Sequence, residues 1–129
     1  MRSLLLLCFA LAAPAAAQEG MTGQEFDDYV TGRTITFSTI NNPAYGIERY
    51  LPGQRVMWSN FEGTCQYGVW FESKGDICFR YEGNPISQCW TIFEDPDGLR
   101  GVYTTWPNTT VIYEVRDSGD ALICNDLSS

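Results

Sequence analysis

The sequence predicts an all-β domain: an antiparallel meander of about eight short strands, closed as a small barrel or folded as a sandwich, with one short N-terminal helix and two disulfides. Three observations predict it. From Arg33 to Arg116 apolar and polar residues alternate with a period of two, the period of a half-buried strand. Turn-forming clusters recur at about 10-residue spacing, the rhythm of β-sandwiches and barrels. Four cysteines, Cys65, Cys78, Cys89 and Cys124, follow an N-terminal segment that reads as an export signal, so a small core is expected to be stapled.

That segment carries Arg2, an apolar run from Leu4 to Ala13, and then Ala15, Ala16 and Ala17 before the polar Gln18. A single charge, a short apolar run and a small-residue cleavage site make a secretory signal over residues 1–17. The run is shorter than the roughly 20 residues a membrane-spanning helix needs. The reading is therefore a soluble exported protein, periplasmic or secreted, with residues 18–129 as one domain. Cys8 is a small apolar residue of the signal and not a lipid-anchor site, because Leu7 stands before it where a small residue is needed.

Thr22 and Glu25 have the spacing of a capping box, and Met21 and Phe26 that of a hydrophobic staple. Together they predict a helix over Gly23 to Val30, ended by Gly32 in the left-handed conformation. Strands follow over Arg33 to Ser38, Tyr45 to Tyr50, Arg55 to Ser59, Gln66 to Glu72, Asp76 to Tyr81, Ser87 to Phe93, Leu99 to Thr104 and Thr110 to Arg116. They are separated by turn clusters such as Pro52-Gly53, Lys74-Gly75 and Asp95-Pro96-Asp97-Gly98. Residues after Asp117 read as a tail, held down through Cys124.

Strand parity assigns Ile35, Phe37, Val56, Trp58, Tyr67, Val69, Phe71, Ile77, Phe79, Trp90, Ile92, Val111, Tyr113 and Val115 to the core. So many rings in a barrel of short strands predict an interior filled by side chains. This weighs against a lipocalin-like ligand cavity, which remains an alternative; an internal cavity of about 300 Å³ or more would overturn the filled interior. Trp70, Phe93 and Tyr50 fall on the opposite parity. They are the candidate partner-contact residues, with packing against the helix or a disulfide as the other reading.

Four cysteines permit three pairings. A hairpin loop over Glu82-Gly83-Asn84-Pro85 places Ile77 opposite Trp90 and Cys78 opposite Cys89, so the favoured bonds are Cys78 with Cys89 and Cys65 with Cys124. A zinc site is disfavoured, since the spacings of 13, 11 and 35 contain no Cys-x-x-Cys pair.

The chain has no histidine. This removes the Ser-His-Asp and Cys-His constellations and the common imidazole metal ligand. Glu94, Asp95 and Asp97 are the surviving carboxylate cluster, which reads first as a turn and only then as the pair of a carboxylate-dependent hydrolase. The same segment is only a fragment of a calcium loop. No catalytic residue, cofactor or metal is assigned. Asn108-Thr109-Thr110 fits a glycosylation acceptor, but reads as a turn leading into the last strand.

Of 129 residues, 16 are acidic and 8 basic; loss of the signal removes Arg2 and leaves a net charge of −9. Nucleic acid and anionic lipid are repelled by such a surface. A basic protein is the partner it would attract.

Gly68-Val-Trp-Phe through Ile77-Cys78, Tyr81 and Cys89-Trp90 resembles a pattern of small exported bacterial proteins of unassigned function. The resemblance implies an exported disulfide-bonded β-domain and transfers no catalytic residue. The leading expectation is a binding or inhibitory module without enzymatic activity. A carboxylate-dependent hydrolase and a small-ligand-binding, lipocalin-like barrel are the alternatives.

Overall fold

The computed structural model describes residues 1, 3–11, 18–108 and 110–125. Most of the expected cleavage region (12–17) and position 109 lie outside them. The described part of the N-terminal segment, residues 1 and 3–11, has no secondary structure and is exposed throughout.

Helix α1, Gly23–Val30, forms where the cap predicts it. Thr22 Oγ1 accepts the Glu25 amide hydrogen, and the Glu25 carboxylate accepts from the Thr22 amide. Gly32 follows at φ +86°. Eight strands come after it: β1 (Thr34–Thr39), β2 (Asn42–Leu51), β3 (Arg55–Ser59), β4 (Cys65–Ser73), β5 (Asp76–Tyr81), β6 (Gln88–Asp95), β7 (Gly98–Tyr103) and β8 (Val111–Val115). Each pairs antiparallel with the next, and β8 closes on β1, so the sheet is a barrel with no free edge. Closure decides between the two architectures the sequence allows.

An up-and-down barrel sends alternate connections to opposite ends. At one end the turns are short, 52–54, 74–75 and 96–97, and the chain enters there through α1. Residues 60–64 and 82–87, together with 104–108 and 110, lie in the longer connections at the other end. The helix is held on the short-turn end by its flanks. The Met21 amide donates to the Ile92 carbonyl at 2.6 Å, the Gly32 amide donates to Tyr50 O at 2.8 Å, and the Gly23 amide donates to the Glu72 carboxylate.

The two disulfides are those the strand register favours, Cys78–Cys89 and Cys65–Cys124. Cys78 stands opposite Cys89 and Ile77 opposite Trp90. The tail runs over the outside of β1 to β3, burying Leu122 against Ile47 and Cys65, while Ser118 and Asp120 hydrogen-bond Thr36. Two such bonds point to an oxidising environment.

The expected core face is right on four strands, β1, β3, β5 and β6, and reversed on β4 and β8; β2 and β7 carried no expected core residue. On β4, Trp70 points inward and is buried, while Tyr67 and Val69 are each 39% exposed on the outer wall. On β8, Ile112 and Glu114 are buried and Tyr113 is 43% exposed. The inward sets, Gln66, Gly68 and Trp70 on one strand and Ile112 and Glu114 on the other, are less apolar than the outward sets. Alternation therefore favours the wrong face where the interior holds polar groups.

Candidate ligand cavity

Trp70 and Tyr50, expected as exposed contact residues, are inside the barrel at 3% and 2% exposure. Both pack edge-on against Phe26, at centroid distances of 5.0 and 5.6 Å, and Phe79 does the same at 6.2 Å. Phe26 is thus the plug of the short-turn end, and Trp70 and Tyr50 are corrected from exposed contacts to rings packed against the helix, the other reading of these residues. Phe93 is half-buried on the outer wall with the Arg100 guanidinium 4.4 Å from its ring centre. The outer wall does carry an apolar groove, lined by Met57, Tyr67 and Val69, but Arg55 and Arg80 share it. Glu82 lines it too, so the groove is not an acidic surface matched to a basic partner.

Beyond the Phe26 plug the interior is not filled. A cavity of about 470 Å³ runs from Phe26 to Asn84 and Asn108 in the long loops, which corrects the expectation of a packed interior. The size falls within the range of small-molecule sites. Eight strands enclose just enough space for one small ligand when the inward side chains leave room. Here Gly101 is the glycine on the cavity wall. A methyl at Gly46 would overlap the Trp58 indole, so the glycine lets that ring approach the β2 backbone.

The walls combine aromatic rings with polar groups. Tyr45 meets Trp58 at 5.8 Å, and Trp90 meets Tyr103 at 4.9 Å. Gln66, Asn84, Gln88 and Asn108 provide amides, and Gln88 accepts from the Tyr103 hydroxyl at 2.7 Å. One ionisable acid faces this space. Glu48, on β2 across from Trp58, is 2% exposed, and both its oxygens accept from the Tyr81 hydroxyl at 3.0 and 3.1 Å. Burial pushes its carboxyl well above the usual value, and the Tyr81 bond offsets this only in part. The phenols of Tyr81 and Tyr50 are raised too, first by burial and then by the neighbouring Glu48. Among the described residues, no lysine or arginine lines the cavity.

A second buried acid serves the closed end. Glu114 accepts from the Tyr29 hydroxyl at 2.7 Å, the Leu99 amide at 3.1 Å and Arg33 Nη2 at 3.1 Å. It ties helix, β1, β7 and β8 together and is fully partnered. The Trp70 indole N–H, by contrast, is buried with no acceptor.

The acidic cluster of the sequence lies on the β6 to β7 turn. Asp95 pairs with Arg100 at 2.7 Å, and that hydrogen bond lowers its carboxyl below the ordinary range. Glu94 and Asp97 are exposed. These three carboxylates line no cleft in common with the cavity. Neither Glu48 nor Glu114 was singled out by sequence reasoning, although an isolated acid inside an apolar strand, Ile-Glu-Arg-Tyr, was the available signal.

Comparison with protein-family models, with curated proteins and with solved structures finds no match to this chain. The fold and the cavity carry the functional argument by themselves.

Proposed function

We propose that this protein is a small-molecule-binding barrel, exported to an oxidising compartment, in which the long-loop end is the mouth and α1 the floor. The carrying observation is the 470 Å³ cavity with its aromatic walls and convergent polar groups, the size and concave form expected of a ligand site. Export rests on the N-terminal segment and the two disulfides. A contact module for a basic protein keeps only the acidic charge in its favour, and a hydrolase has lost its carboxylate cluster to a surface turn. The preferred reading is thus the lipocalin-like alternative.

Titration with a neutral solvatochromic dye tests it. The expected result is saturable uptake of one dye per chain, abolished by Thr110→Trp, which places an indole in the mouth at a half-buried position. Circular dichroism checks that this variant stays folded. Absence of uptake, or uptake that Thr110→Trp leaves unchanged, contradicts the reading.

A further inference from the structure

Glu48 is an anion precursor in the wrong place for structure alone. It is buried, it accepts from a single phenol, and among the described residues no lysine or arginine accompanies it in the cavity. Glu114 shows what a structural buried acid looks like here, with three donors including a guanidinium. An ionised carboxylate in such a place needs a partner charge. The cavity that Glu48 lines also holds two pairs of electron-rich rings, Tyr45 with Trp58, the residue opposite Glu48, and Trp90 with Tyr103, and the faces of such rings attract cations. An anionic guest would find no counter-charge, and a neutral one would leave the carboxyl unused.

We infer that the guest is an organic monocation, a protonated amine on an apolar or aromatic body, with Glu48 as its counter-ion and the paired tyrosine and tryptophan rings around its charge. The inference rests on the ligand-cavity reading and names its ligand class. Without a guest, burial favours the protonated form of Glu48. Docking of the ammonium ion exchanges that proton for the guest: the carboxylic acid releases H⁺ to solvent, the carboxylate pairs with the amine, and charge is conserved. The titratable groups around Glu48 are Tyr81 on β5, Tyr45 and Tyr50 on its own strand and Tyr103 on β7. Burial raises the phenols of Tyr45, Tyr50 and Tyr81 above their ordinary value, which keeps these three neutral at the pH of the test. Its neighbours on β1 and β3, Ile35 and Trp58, do not titrate. The Glu114 and Arg33 pair is internally compensated.

Isothermal titration of the full chain at pH 5.5 with phenethylammonium, 2-phenylethanol and 3-phenylpropanoate, in two buffers of different ionisation enthalpy, tests this. The amine is expected to bind about tenfold or more tighter than the alcohol, with the carboxylate weakest. Amine binding should release about one proton, and alcohol binding none. Glu48→Gln should remove the amine's advantage and keep the alcohol's affinity; should that variant not fold, proton release in the native chain decides. Equal binding of amine and alcohol, amine binding without proton release, or an advantage that survives Glu48→Gln overturns the inference and leaves the cavity intact. If none of the three probes nor the neutral dye binds, the cavity reading falls with it.

Discussion

Two glutamates inside one small barrel behave differently because their surroundings differ. Glu114 has an arginine, a phenol and a backbone amide, whereas Glu48 has one phenol. Burial raises the Glu48 carboxyl well above 4.5, its ordinary value. Between 4.5 and the folded value the native state therefore holds a proton that the unfolded chain has lost, and stability falls as pH rises through that window, by about 1.4 kcal/mol per pH unit. Urea unfolding from pH 4.5 upward should show this slope, and Glu48→Gln should flatten it; a variant with an unchanged slope would remove Glu48 as its source. Glu114→Ala should act in the opposite way. It strands the Leu99 amide and opens a void, so a loss of about 2 to 4 kcal/mol is expected in the same measurement. A loss under about 0.5 kcal/mol would mean that water replaces the carboxylate.

At the scale of elements, the helix and the cysteines were legible and the cavity was not. The helix follows from Thr22, Glu25 and Gly32, signals that act within one turn and do not depend on tertiary context. Cys78 opposite Cys89 follows from one hairpin register, because turn length fixes which residues face each other. Strand faces on β4 and β8 were misread because parity counts apolar residues, and these strands turn Gln66, Gly68 and Glu114 inward while Tyr67, Val69 and Tyr113 face solvent. Of the inward residues, Gln66 lines the cavity and Glu114 ties the closed end, so the pattern fails where inward polar groups serve the proposed site or the fold. The role of α1 as plug makes a prediction of its own. Phe26→Ala should cost about 3 to 5 kcal/mol, since it removes the ring against which Tyr50, Trp70 and Phe79 pack, whereas Thr22→Ala should cost only about 1 kcal/mol. Thermal or denaturant unfolding that ranks the two in reverse would contradict the plug.

As a whole the molecule is a barrel made stable at a small size by closure and by covalent ties. Chain-entropy estimates give about 3 kcal/mol for the loop closed by Cys78–Cys89 and about 4 kcal/mol for that closed by Cys65–Cys124. The second bond holds the tail over Ile47 and Met57. Rigidity from outside permits emptiness within: the core cluster around Phe26 fills the closed end, and the remaining volume is open to a guest. The most direct test follows the indole N–H resonances of ¹⁵N-labelled protein during titration with whichever phenethyl probe binds most tightly. The account predicts that Trp58 and Trp90, which line the cavity, shift progressively while Trp106, 56% exposed and not among the cavity walls, stays in place. Fixed Trp58 and Trp90 resonances, with shifts confined to Trp106 or to the outer-wall amides of Tyr67 and Val69, would contradict it.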